Sequence, residues 1–269
     1  MEQRDQPAQR EDEETEGALL MTGNLADPLL LAVLFFATAV LYSSVGNAGA
    51  SGYLAAMTLA GLAPETMKST ALLLNMIVAL ITTIRFSRAG HFSWPLFWPF
   101  TVASVPFAFL GGVLVLPGSL YQGLVGVALL FAAYRLFWYT DQGRPRPRAV
   151  PLVPALCVGA GLGLVSGLTG IGGGIFLSPL LIVMGWAEPR QSAGISAAFI
   201  LANSVAGLCG ETVSVHALPS AAPLWAGVVV VGGLIGSELG VRRLAERTLR
   251  RLLAVVLAIA GLKLLVVRR

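Results

Sequence analysis

Six stretches of this chain, 66–86, 95–116, 120–139, 189–209, 222–239 and 249–267, are apolar over nearly the length a helix needs to cross a bilayer. At about 1.5 Å per residue, about 20 apolar residues cover a hydrocarbon layer about 30 Å thick. Soluble alternatives are few, because a water-soluble domain carries roughly 25% charged residues, whereas this chain carries 12% against 56% hydrophobic and has a mean hydropathy of +0.78. The fold class this dictates is an all-α polytopic membrane protein.

Two further regions, 27–62 and 150–187, are apolar but interrupted. In the first, Asp27-Pro28 supplies a helix start and the helix runs to about Ser44. Gly46-Asn47-Ala48-Gly49-Ala50-Ser51-Gly52 follows, then an apolar piece ending near Gly61. In the second, a helix from Pro151 reaches Ser166. Gly167-Leu168-Thr169-Gly170-Ile171-Gly172-Gly173-Gly174 follows, then a piece ending near Trp186. Each second piece has about 13 residues, which as a helix spans about 20 Å and falls short of the hydrocarbon core. They read as half-helices. Inside a bilayer, broken helices persist only where protein or a water-filled cavity satisfies the freed backbone groups. The plainer reading is that the glycines only let helices approach closely.

The two breaks correspond. With Gly46 set against Gly170, Gly49 falls on Gly173 and Gly61 on Gly185. Each half-helix ends in a Gly-x-Ala turn carrying Pro and Glu, at Leu62-Ala63-Pro64-Glu65 and at Trp186-Ala187-Glu188-Pro189. Three long spans follow in each half. The domain reading is therefore an acidic disordered tail at 1–26, a first transmembrane repeat at 27–139, a basic linker at 140–150 and a second repeat at 151–269. The tail holds Glu2, Asp5, Glu11, Asp12, Glu13, Glu14 and Glu16 with little apolar content to pack. Its acidic start is unlike a secretory signal.

Charge sets the topology. Arg85 and Arg88, the linker's Arg144, Arg146 and Arg148, and Arg242, Arg243, Arg247, Arg250 and Arg251 mark cytoplasmic loops, whereas 117–119 and 210–221 carry no Lys or Arg. The pI near 9.4 thus reflects anchoring at a membrane face rather than nucleic-acid binding. Threading the spans gives two inverted repeats, each a broken re-entrant-like helical hairpin plus three transmembrane helices, about eight membrane segments in all. Both termini fall outside, in the plasma membrane of a bacterium (its inner membrane). Arg268 and Arg269 at the exterior end run against the rule.

Inverted repeats with paired breaks are a transporter arrangement, with the substrate near the midplane where half-helix N-termini point their positive ends. Free N–H groups there bind anions, and neither turn carries an acid that would repel one. The expected cargo is a small oxyanion or carboxylate, with substrate-binding candidates Gly46, Asn47, Gly49, Ser51, Thr70, Asn75, Thr169, Gly170, Gly172, Gly173, Gly174, Ser196 and Asn203. Asn47 either donates to substrate or bonds its own turn. Thr70 and Ser196 either donate hydroxyls to an anion or bond their own helices. Asn75 and Asn203 either line the pathway or hydrogen-bond between helices.

Gly163-Leu164-Val165-Ser166-Gly167-Leu168-Thr169-Gly170-Ile171-Gly172-Gly173-Gly174, followed by Leu177-Ser178-Pro179-Leu180-Leu181, resembles the second repeat of the TauE/SafE family of sulfite and organosulfonate exporters. The resemblance covers about 28–267 and implies transport, usually export, of sulfite, sulfoacetate or a related anion. The first repeat departs from the family pattern, with Gly46-Asn47-Ala48-Gly49-Ala50 where a Gly-x-Gly-Gly-Gly run is usual.

Arg135, Glu238 and Lys263 lie close to span ends, where snorkelling is expected. Trp94, Trp98, Trp138, Trp186 and Trp225 suit an interfacial belt. Cys157 and Cys209 are expected to be small buried hydrophobes, outside any disulfide or metal site. Gly49-Ala50-Ser51-Gly52 matches the nucleophile motif of rhomboid proteases, but His91 and His216 both fall in loops, so Ser51 has no base at membrane depth. No enzyme, cofactor or metal is expected. A non-transporting membrane subunit is the further alternative. Protons are the candidate coupling ion, yet the sequence places no carboxylate at the midplane, and Glu211, just beyond a span, is only a weak candidate.

Overall fold

The computed structural model describes residues 27–114, 116–138, 150–211, 218–242 and 247–266, with no strand among them. The acidic tail 1–26, linker residues 140–149, His216, Arg243 and the two C-terminal arginines lie outside the described residues. The first five helices are α1 (Pro28–Ser43), α2 (Ala50–Leu59), α3 (Pro64–Arg88), α4 (Trp94–Val113) and α5 (Gly118–Phe137). The next five are α6 (Leu152–Thr169), α7 (Gly174–Val183), α8 (Pro189–Gly210), α9 (Ala222–Arg242) and α10 (Arg247–Val266). Five stretches, Thr66–Arg88, Trp94–Val113, Leu152–Thr169, Pro189–Gly210 and Ala222–Val241, are long and apolar enough to cross a membrane. Their outer faces carry large aliphatic side chains such as Val102, and Val33 and Val127 are exposed in the same way on α1 and α5. A surface like this suits lipid rather than water.

Local chemistry sets the helix limits. The Asp27 carboxylate accepts from the Leu29 N–H at 2.9 Å and Pro28 opens α1, supplying a cap and a pre-set φ. Pro64 and Pro189 open α3 and α8 in the same way. The half-helices α2 and α7 have 10 residues each, shorter than the 13 or so expected. The left-handed turns at Gly61 and Gly185 end them earlier than hydropathy suggests.

Packing crosses between the halves. On α6, Gly159, Gly163 and Gly167 lie against the carbonyls of Phe100, Ser104 and Ala108 on α4, so that a Cβ on any of them would strike backbone. On α9, Gly232, Gly236 and Gly240 lie against Phe36, Val40 and Ser44 at and just beyond α1. Small-residue stripes at this spacing bring helix backbones together where lipid gives no hydrophobic drive. At the centre α3 and α8 run antiparallel: Lys68 near the start of α3 meets Glu211 just past α8, while Gly194 near the start of α8 meets His91 just past α3. α5 packs along α10.

Several side chains depart from expectation. Cys157 and Cys209 are exposed rather than buried, because the α6 and α8 glycine faces take the protein contacts and turn these sulfurs outward. Trp225 is buried on Phe35 and donates from Nε1 to the Pro28 carbonyl at 3.0 Å, and Trp186 packs on Phe100; Trp94, Trp98 and Trp138 face outward. Lys263 does not snorkel. Its ammonium donates to the carbonyls of Thr58 (3.0 Å) and Leu59 (3.2 Å), capping the C-terminal end of α2. Glu238 instead pairs with Arg85 at 2.6 Å.

Candidate functional site

Both breaks are closed by glycines in left-handed backbone. Gly49 (φ 101°) precedes α2 and Gly173 (φ 73°) precedes α7. A side chain costs about 1–2 kcal/mol in that region. In α7 the N–H groups of Phe176 and Leu177 donate to the Gly173 carbonyl at 3.1 and 3.2 Å, which leaves those of Gly174 and Ile175 without a partner in the helix. Gly46 and Gly170 repeat the match at φ 79° each, and Gly172 adds a further positive φ (84°) where the first break has Ala48.

One seam of α8 carries both breaks. Gly46 lies directly on Ala193, and about one turn later Gly174 packs on Ser196 and Ile200. Next along, a Cβ at Gly173 would stand 3.4 Å from the Asn203 Nδ2 and 3.0 Å from the Phe199 ring. These α8 residues recur at spacings of three and four, which keeps them on one face. From α3, Lys68 and Asn75 face the same way, about two turns apart. Gly170 lies on the Lys68 backbone, with its added Cβ 3.2 Å from the carbonyl oxygen, and Asn75 donates from Nδ2 to the Ile171 carbonyl at 3.2 Å.

The two breaks differ in how their polar groups are satisfied. At the first, Ser51 donates to the Tyr42 hydroxyl at 2.7 Å and Tyr53 donates to the Ala48 carbonyl at 2.9 Å. The Tyr53 ring lies where a Gly49 side chain would go. Asn47 keeps a buried Oδ1 without a partner. At the second, the Asn203 Oδ1 accepts from Ser104 at 2.7 Å, which fixes the amide and leaves its Nδ2 unpartnered beside Gly173. Asn75 Oδ1 and the hydroxyls of Ser196 and Ser166 are likewise buried and unpartnered. An unpaired buried polar atom costs about 1–3 kcal/mol, and of these groups the Asn75 and Asn203 amides stand beside Gly172 and Gly173.

The remaining candidates are spread. The Thr169 hydroxyl donates to Val165 at 2.7 Å and accepts from the Ile171 N–H at 3.3 Å, so its own turn occupies it. Thr70 is buried with an unpartnered Oγ1 but is rotated about 200° from Lys68 on α3, and nothing places it at either break.

Sequence reasoning missed one pair. Lys68 and Glu211 are each 7% exposed, with Nζ 3.7 Å from Oε1, and the same ammonium donates to the carbonyls of Gly112 (3.1 Å) and Gly111 (3.4 Å) at the end of α4. The available signal was the pairing of opposite charges at two span ends assigned to one membrane face.

The model of the Sulfite exporter TauE/SafE family matches residues 30–264 of this chain. The chain belongs to the TauE/SafE family. A Sinorhizobium fredii protein described as a probable membrane transporter is 41% identical over 239 residues, 87% of this chain and 97% of the relative. A protein so described from Methanocaldococcus jannaschii is 25% identical over 255 residues, 88% and 94% of the two chains. A third, from Xylella fastidiosa, is 32% identical over 115 residues, 42% and 44% of the two. No solved structure matches this TauE/SafE chain significantly. With its apolar helices, the family makes the protein a multi-pass membrane transporter.

Proposed function

We propose that this protein is a secondary transporter that binds a small anion at the start of α7 and moves it across the bacterial inner membrane by alternating access. The observation that carries the reading is the unpartnered Asn203 Nδ2 buried beside Gly173, the residue that precedes the N-terminus of α7. Donors and a positive helix end together favour an anion. The hydroxyl of Ser196 adds a donor. Asn75, which already donates to Ile171, keeps an unpartnered Oδ1 acceptor that suits the O–H of a singly protonated oxyanion. Among anions, sulfite and organosulfonates are the first choice and export the direction, both from the family's description.

The alternating-access reading takes the halves as inverted repeats of about eight membrane segments, with both termini outside. Its support is the recurrence of helix order, the matched positive-φ glycines and the antiparallel α3–α8 pair. On this topology the linker 140–150 is cytoplasmic.

The test is uptake of labelled sulfite, sulfoacetate and acetate by proteoliposomes containing the purified protein. The expected result is movement of sulfite or sulfoacetate, abolished by G173A with normal reconstitution. Failure of wild-type protein to move any of the three would sink the reading.

A further inference from the structure

The Lys68–Glu211 pair is more deeply buried than any other ion pair among the described residues, and the substrate site as argued above does not use it. Its position is informative. Lys68 belongs to α3 and bonds the end of α4, both in the first half, while Glu211 ends α8 in the second. Gly170 of the second break rests on Lys68, with its added Cβ 3.6 Å from the lysine Cγ. Glu211 continues the α8 face that carries Ile200, Asn203 and Gly207. The pair therefore closes one end of the seam on which the anion site is built.

Charge limits what such a pair can do. With Glu211 ionised, the pair is neutral and the lysine's charge is spent on its partner. An anion arriving at α7 then brings net negative charge into a low-dielectric region, which is costly. One proton on Glu211 removes that cost, because Lys68 is left to balance the anion. We infer that Glu211 is a proton-binding site of the transporter, and that proton and anion bind cooperatively through Lys68, so that the two move together with charge compensated. The inference deepens the proposed function and rests on its anion site.

The surroundings suit this role. Burial pushes the Glu211 carboxyl above its usual range, opposed by the Lys68 charge and by a hydrogen bond from Ser69. Among the described residues Lys68 is the charged group facing it. The sequence of α4 contains no ionisable side chain, α6 contains only Cys157, α8 contains Arg190 and Cys209, and α3 contains Glu65, Arg85 and Arg88 besides Lys68. Opening the pair without a proton would leave a buried charge unpaired, which is strongly unfavourable. Protonation supplies the low-cost route. Linkage makes the effect mutual: if protons tighten anion binding, anion binding must draw a proton from solution to the same degree.

The test uses full-length protein in nanodiscs with sulfate and 2-hydroxyethanesulfonate, which stay ionised as pH is taken from about 8 to about 5, a range that a buried carboxyl can reach. Wild-type affinity should rise roughly tenfold toward acid, within the usual span of coupling, and binding in weak buffer should take up protons. E211Q should bind with no pH dependence and no proton uptake. Unchanged pH dependence in E211Q, or no proton uptake by wild type, would overturn the inference. A second readout needs no anion. Infrared difference spectra should show a carboxylic acid band appearing on acidification in wild type and missing from E211Q. Absence of an E211Q-sensitive band across that range overturns proton binding at Glu211. If the band appears but neither anion binds at any pH, the anion site fails while Glu211 stands as a proton acceptor.

Discussion

The two glycine breaks share two matched left-handed glycines and differ in their chemistry. Set in register, Tyr42 corresponds to Ser166, Ser51 to Ile175, Tyr53 to Leu177 and Ala48 to Gly172. The first break is thereby filled: two phenols bond within it and one ring covers Gly49. At the second, the Tyr42–Ser51 bond has no counterpart, because Ile175 has no polar group and Ser166 is left with an unpartnered hydroxyl. Asn75 and Asn203 converge on this break alone. Similar turns at the two breaks thus differ in filling, the first packed with its own tyrosines and the second left with unpartnered polar groups.

Substituting each glycine should show the difference most sharply. G173A places a methyl against Phe199 and the Asn203 amide in backbone that resists any side chain. Proteoliposome transport should fall by about a hundredfold or more, because a small misplacement in a site is that costly. G49A pushes on the Tyr53 ring instead, and should lower the melting temperature in detergent more than it lowers transport per folded molecule. Equal loss of transport from both, at equal stability, would erase the distinction between the breaks.

A smaller effect is expected from N203A, which removes the free amide and its bond with Ser104. Losing one hydrogen bond to a charged group costs about 1.5–3 kcal/mol, so anion affinity measured by titration calorimetry should drop by roughly tenfold to a hundredfold. N47A, at the corresponding first break, should change it little.

Much of this was legible in the sequence. Long apolar runs and a shortage of charge fixed the membrane class, and glycines at matched spacing located both breaks, since only glycine takes left-handed backbone at no steric cost. The Gly173 and Gly174 candidates and Asn203 come together, but Thr169 and Ser51 are occupied by partners that no spacing rule reveals. Tyr42 and Tyr53 were overlooked because an aromatic within an apolar run reads as packing until its hydroxyl is seen to close a turn. Lys68 and Glu211 lie far apart in the sequence, and the antiparallel crossing of α3 and α8 joins them. The short length of α2 and α7 was likewise set by turn geometry rather than by hydropathy.

Subtler still is Y42F, which deletes the bond from Ser51. It should cost about 1 kcal/mol of stability and leave transport nearly intact, as read by thermal melting and proteoliposome uptake. A Y42F protein of normal stability that fails to transport would make the first break part of the binding site. The smallest effect concerns pH. A carboxyl raised in the folded state favours folding most below its unfolded value, and that benefit is lost as pH rises through the folded value. Wild-type melting temperature should therefore fall slightly as pH is raised toward neutral and above, with E211Q showing a flatter profile.

The central claim is that an anion sits at the start of α7. The most direct measurement is a structure determined with 2-bromoethanesulfonate, using bromine anomalous scattering to locate the ligand. The account predicts a sulfonate within about 3 Å of the Asn203 Nδ2 and the first-turn N–H groups of α7, the usual hydrogen-bond reach. A sulfonate seated against Asn47 and Ser51 at the first break, with the second left empty, would contradict it.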